Sequence, residues 1–131
     1  MTPAAANAAV GDSLLLPPPG AEGCGYASAP AVEGLGLMIE NGRIVRIDVR
    51  APGVRTELGG AVGDSETRIQ ELYTGRVTVS PHKYTNGHYL TVAPRTTSAG
   101  TVQLIFETEH GVVTRFRSGL VPQVAYVEGC G

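Results

Sequence analysis

The chain has 131 residues, 42% of them hydrophobic and 17% charged, with a net charge of −2. This is enough chain for one core but not for two independent ones. The slight acidic excess lacks the basic surface that nonspecific nucleic-acid binding requires, so no nucleic-acid partner is expected. Tryptophan is absent, only two Phe and five Tyr occur, and there are 18 Gly and nine Pro. That composition argues for a Val/Leu/Ile core with many turns and against helical bundles. No apolar run reaches the roughly 18 residues of a transmembrane helix, so no transmembrane segment is expected.

Residues 1–22 are rich in Ala, Pro and Gly and contain Leu14-Leu15-Leu16 against Pro17-Pro18-Pro19. The prolines favour an extended path, and the segment reads as a flexible N-terminal stretch. It lacks the basic region and long apolar run of a secretion signal. Ala6-Asn7-Ala8 nevertheless looks like the end of a small-x-small cleavage site. Two readings stay open: an ordinary Ala-rich start, or a mature exported domain. A single α+β domain is expected over 23–131.

Cys24 and Cys130 lie near the two ends of that domain, each between glycines, and form neither a CxxC pair nor a metal cluster. A disulfide clasping the two ends is expected, and with it an oxidising compartment, periplasmic or extracellular. The alternative is two buried thiols.

An internal repeat organises the rest. Residues 35–47 match residues 104–116 at a spacing of 69, aligning Glu40 with Glu109, Gly42 with Gly111 and Arg46 with Arg115. Each copy is an apolar run, an Asn-Gly or His-Gly pair and an alternating run. This is a hairpin signature, because both turn residues need φ > 0. Val10-Gly11-Asp12-Ser13 recurs as Val62-Gly63-Asp64-Ser65. The second copy opens a helix over about 64–74, capped by Asp64 or Ser65, striped by Ile69, Leu72 and Tyr73, and stopped by Gly75. Further strands are expected at 76–80, 89–92 and 121–127, with a turn at Asn86-Gly87 and a loop over 94–100. The expected fold class is therefore α+β: one curved antiparallel sheet of six to eight strands, with the helix on one face and a degenerate internal repeat.

The stretch Val62-Gly63-Asp64-Ser65-Glu66 through Tyr73 and Gly75, with the hairpins at Asn41-Gly42 and His110-Gly111, resembles the fold family of the β-lactamase inhibitor proteins and the barrel-assembly lipoprotein that shares their fold. Residues 34–131 are also similar to small bacterial exported or lipid-anchored proteins of unassigned activity. The strings that carry this are Gly42 to Asp48, Val62 to Glu66, Pro81 to Tyr84, Gly87 to Leu90 and Glu128-Gly129-Cys130. The resemblance implies a domain that binds other proteins, including enzymes it inhibits, without fixing a function.

Candidate site residues fall into two groups. The first is His82, Lys83, Tyr84, His88 and Tyr89, around Asn86-Gly87. Counting outward from that turn pairs Thr85 with His88, Tyr84 with Tyr89 and Lys83 with Leu90. His82 and His88 are then not partners, and with no acidic or Cys ligand nearby no metal site is expected. This segment is either a structural aromatic hairpin or a recognition surface for a protein or glycan. The second group is the arginines, with Arg46 and Arg115 at equivalent repeat positions beside Arg43, Arg50 and Arg117. With Arg55 and Arg76 they either line one sheet face and meet an acidic partner or form a solvated face balanced by Glu40, Asp48, Glu57, Glu107 and Glu109.

No signature of catalysis stands out. Gly63-Asp64-Ser65-Glu66 is not a nucleophile elbow, and no phosphate or dinucleotide fingerprint is present. Glu107 and Glu109 share a strand face but sit beside a turn, where exposure is expected. No catalytic residue and no cofactor is assigned. The leading expectation is an exported, non-enzymatic domain that binds another protein as an inhibitor or immunity-type factor. The alternatives are a small hydrolase or sugar-active enzyme using His82 or His88, and a structural cell-envelope module. Oligomeric state is left open.

Overall fold

The computed structural model describes residues 24–28, 33–98, 100–127 and 130. The flexible stretch expected over 1–22, with its Val-Gly-Asp-Ser copy, lies outside the described residues. Eight strands form one sheet, β1 (Cys24–Ser28), β2 (Leu35–Glu40), β3 (Arg43–Val49), β4 (Val77–Pro81), β5 (His88–Val92), β6 (Arg95–Thr97), β7 (Gly100–Glu109) and β8 (Val112–Leu120). Their order is β1-β2-β3-β8-β7-β5-β4, with β6 added beside β7, and every pairing is antiparallel. Among the described residues there are also one helix, α1 (Glu66–Leu72), and a 3₁₀ turn (Gln123–Ala125). It is the α+β architecture expected from the sequence.

The repeat is structural as well as sequential. Asn41-Gly42 and His110-Gly111 both place two residues at positive φ, at 52° and 78° and at 52° and 76°, the backbone of a two-residue hairpin turn. Each copy also carries a register shift at the same repeat position, between Met38 and Ile39 and between Glu107 and Thr108. The two hairpins meet along β3 and β8, where Asp48 pairs with Arg117. These two residues are themselves equivalent in the repeat, so an approximate two-fold axis passes through their pair.

The two sheet faces differ in chemistry. On one, Val49, Leu90, Phe106, Val113 and Phe116 form a buried apolar cluster under α1, which inserts Ile69 and Tyr73. Ser65 caps the helix by accepting from the Arg68 backbone N–H at 3.0 Å, and Gly75 turns the chain away at φ 75°. The helix is two residues shorter at each end than the pattern suggested.

The other face carries Arg46, Asp48, Glu107 and Arg117, all buried. What covers them is not the expected strand over 121–127. That segment is a turn through the cis Val121–Pro122 bond followed by the 3₁₀ turn, which packs across β3, β7 and β8. A strand cannot form there because its carbonyls point down into the sheet to meet guanidinium groups. The strap is held at its far end by the Cys24–Cys130 disulfide, with Cα atoms 5.6 Å apart across a sequence separation of 106. The clasp therefore joins the edge strand to the end of the strap.

Two measurements check this packing. A Cβ on Gly119 would lie 2.5 Å from the Val45 carbonyl oxygen and 2.7 Å from Arg46 Cα. Gly119→Ala is expected to lower the unfolding free energy by about 1–3 kcal/mol in urea titrations, while Ser118→Ala, at an exposed neighbour, changes it by less than about 0.5 kcal/mol. Replacing both cysteines by serine removes a clasp that closes over a hundred residues. A loss approaching about 4–5 kcal/mol is expected in the same titration on chain-entropy grounds.

Candidate functional site

The buried polar face is a connected ion network. Arg46 donates from Nε to Asp48 Oδ2 at 2.9 Å and from Nη2 to Oδ1 at 2.6 Å. Its Nη1 donates to the Gln123 and Tyr126 carbonyls of the strap, at 3.1 and 2.6 Å. Arg117 donates from Nε to the Val124 carbonyl at 2.6 Å and from Nη1 to Glu107 Oε2. Its guanidinium also lies 5.8 Å from the Tyr89 ring centre. Arg115, half exposed, reaches Glu107 Oε1 at 3.4 Å. Arg46 and Arg115 thus do share a sheet face with Arg117. Yet Arg46 is only 4% exposed and its guanidinium is held by Asp48 and two strap carbonyls, which leaves it unavailable to an outside ligand. Arg46 and Arg117 are buried within the network, while Arg43, Arg50 and Arg115 are exposed. An isolated buried charge is too costly, so Arg46 and Arg117 are each paired with a carboxylate and donate further to main-chain oxygens of the strap.

Burial pushes the Glu107 carboxyl up. The His82 hydrogen bond and the Arg117 and Arg115 charges outweigh it and hold the group below its usual 4.5. Burial pulls the Arg117 guanidinium down, opposed by Glu107. On the far side of the network, burial and then the Asp48 charge push the Tyr26 phenol up. The register shift beside Glu107 also separates the two carboxylates expected on one face. Glu107 is sealed in, while Glu109 is exposed beside His110.

His82 connects this network to the surface. Its side chain is 6% exposed, and Nε2 lies 2.6 Å from Glu107 Oε1. Its Nδ1 accepts the backbone N–H groups of Tyr84 and Thr85, at 3.0 and 3.2 Å. With Nδ1 accepting twice, the ring proton sits on Nε2 and is donated to Glu107. The ring stacks on Tyr89 at 4.5 Å, and the Tyr89 hydroxyl accepts from the Lys83 backbone N–H at 3.1 Å.

These bonds set a different register from the one counted outward from Asn86-Gly87. The observed pairs are Pro81 with His88, Ser80 with Tyr89 and Val79 with Leu90. Residues 82–87 therefore form a six-residue loop rather than a tight turn. Tyr84 does not pair with Tyr89, because His82 takes that place. Gly87 serves close approach: a Cβ there would fall 1.7 Å from the Thr108 carbonyl oxygen.

His88 points elsewhere. Its Nδ1 lies 2.9 Å from Glu66 Oε2 in the first turn of α1, and that oxygen also accepts from Thr108 Oγ1 at 2.5 Å. Burial pushes the Glu66 carboxyl up, but the Thr108 and His88 hydrogen bonds prevail and lower it. His88, Lys83, Tyr84, Glu109 and His110 border a polar cleft of about 500 Å³. A histidine–carboxylate pair can move a proton. Among the described residues the His88 ring is hydrogen-bonded to Glu66 and to no hydroxyl or thiol. Among the same residues no group of three His, Cys, Asp or Glu side chains is placed to hold a metal ion, and no helix is long and apolar enough to cross a membrane.

The loop that results presents Lys83, Tyr84, Thr85 and Asn86 outward. Tyr84 is 60% exposed, and the Lys83 ammonium lies 5.1 Å from its ring centre. Of the residues singled out from the sequence, Lys83 and Tyr84 are on this tip, His82 and Tyr89 are beneath it, His88 is at its flank, and Arg46 and Arg115 belong to the ion network. Comparison with protein-family models, with curated proteins and with solved structures gives no significant match to this chain.

The ion network predicts an acid dependence of defined sign. Glu107 and Glu66 both have folded values below their unfolded ones. Their contribution is complete above about pH 4.5 and is lost as the pH falls from there through the folded values. Urea midpoints measured between about pH 7 and pH 3 are expected to drop over that window. Glu107→Gln should flatten the drop while lowering stability at pH 7 by about 3–5 kcal/mol, since it strands buried cations.

Proposed function

We propose that this protein is an exported, non-enzymatic recognition domain that binds a protein partner through the loop over residues 82–87. The observation that supports this reading is the pairing of an exposed aromatic tip with a buried anchor. Tyr84 stands 60% exposed on a loop whose main chain is tied to the buried His82 ring. A tip fixed before binding loses little conformational freedom on complex formation, so more of its contact energy appears as affinity. Tyrosine suits such a position, offering a large rigid surface with a polar end. The disulfide accords with an oxidising compartment outside the cytosol. An inhibitor or immunity-type role is the specific form of this reading.

The test uses wild-type protein to capture a partner from periplasmic or culture extract, followed by titration of that partner against variants. Tyr84→Ala should weaken binding by at least about 30-fold, as a central aromatic anchor does. Arg43→Ala, on an exposed position at the β2–β3 turn, should leave it unchanged. Equal affinity of wild type and Tyr84→Ala refutes the loop as the contact surface.

A further inference from the structure

A second site lies at the opposite end of the β4–β5 pair, on the apolar face of the sheet. Among the described residues the one helix is seven residues long, and it covers only part of the eight-stranded sheet. Beyond its C-terminus the sheet surface of Ile47, Leu104 and Val102 remains partly open, with the small Ser118 exposed between Ile47 and Leu104. The loop over 50–60 rises on one side. It is tied to the end of α1 by a 2.7 Å hydrogen bond between Thr56 Oγ1 and the Tyr73 hydroxyl. Between them lies a cleft of about 400 Å³, and Leu58 is exposed at its edge.

The chemistry of the cleft is two-part. Its floor is aliphatic and aromatic, while its mouth carries Arg55, Arg76 and Arg95 against one carboxylate, Glu57. Glu57 sits 4.0 Å from Arg95, with both side chains mostly exposed. Arg76 lies over the Tyr73 ring at 5.9 Å, and Arg55 donates to the Gly59 carbonyl at 2.8 Å. Among the described residues neither Arg55 nor Arg76 has a carboxylate partner. The buried Arg46 and Arg117 are matched by carboxylates, whereas the edge of this apolar hollow carries three arginines against one carboxylate.

We propose that this cleft binds a single-chain aliphatic carboxylate, with the tail on Val49, Leu104 and Phe116 and the carboxylate on Arg76 and Arg95. The charge excess selects the anionic head, because a bidentate guanidinium–carboxylate pair is the strongest polar contact such a mouth can offer. The volume sets the tail. A methylene occupies roughly the 30 Å³ of a water molecule, so about a dozen heavy atoms fit.

Isothermal titration of decanoate into the disulfide-bonded protein tests this. Saturable one-to-one binding is expected, at least about tenfold tighter than decanol and absent with acetate. Arg76→Gln with Arg95→Gln should weaken decanoate at least about tenfold without altering decanol binding. Ser118→Phe, which places a ring in the hollow from an exposed position, should abolish both. The surface arginine pair keeps the test decisive should Ser118→Phe fail to fold. No binding up to about 1 mM decanoate overturns the proposal. So does binding indifferent to the arginine pair, or sedimentation showing that a second copy of the chain already fills the cleft.

Discussion

Two guanidinium groups and two carboxylates are buried side by side on the middle strands of a sheet, and much of the structure answers to that fact. Pairing Arg46 with Asp48 and Arg117 with Glu107 neutralises the charge but does not exhaust the donors. Five N–H groups on each arginine need acceptors, and a dry sheet face supplies none. The strap over 121–127 provides three, the carbonyl oxygens of Gln123 and Tyr126 for Arg46 and of Val124 for Arg117. A segment that must turn its carbonyls inward cannot also pair as a strand. It is then anchored by one fully buried side chain, Val124, and by the disulfide. The clasp thus does more than shorten the unfolded chain, since it holds down the cover on which the buried charges depend.

The repeat explains where these charges stand. The approximate two-fold relates β2–β3 to β7–β8 and brings equivalent positions together at the centre. Identical residues there would be self-opposed, and two equal charges at that separation would repel strongly. The two copies have diverged into Asp48 and Arg117, which are complementary. The next ring outward has diverged in another way. Met38 stands where the second copy has Glu107, and each faces a tyrosine across the sheet, Tyr26 for Met38 and Tyr89 for Glu107. One half became apolar at that point and the other acidic. Only the acidic half gained a histidine, His82, and with it the pinned loop. The asymmetry of the surface therefore begins with a difference between buried residues.

Local rules of the chain carried the fold a long way. The turn chemistry of Asn41-Gly42 and His110-Gly111, the cap at Ser65 and the stripe through Ile69 and Tyr73 are short-range signals, and each element appears where its signal lies. The strand at Cys24–Ser28 had no such signal. Its sequence, Cys-Gly-Tyr-Ala-Ser, has weak strand character and is placed by pairing with β2. The strap was misleading because Val121, Val124 and Val127 look like strand residues, whereas the deciding partners are arginines far away in sequence. The same holds for the candidate site. Polar and aromatic residues over 82–89 marked the region, but the register counted from Asn86-Gly87 missed that a histidine ring fills the loop. Arg46 and Arg115 looked alike by repeat position. Their fates differ because the strap and Gly119 close over one and leave the other at the rim.

The separation of the two sheet faces has a mechanical consequence. The loop at 82–87 is tied through His82 and Glu107 to the charged face, and so to the strap and the disulfide. The cleft edged by Arg76 and Arg95 is built on the apolar face and the end of α1. Among the described residues the two meet only through the sheet itself, whose strands are fixed by hydrogen bonds on both sides of β7 and β8. A change that loosens the strap weakens acceptors for Arg117, which shifts the Glu107 carboxylate and then the His82 ring, a short path of direct contacts to the loop tip. No comparable chain of polar contacts runs, among the described residues, from the strap to the cleft. Reduction of the disulfide should therefore act first on the order of the 82–87 loop, while the shape of the apolar cleft follows the global stability of the sheet.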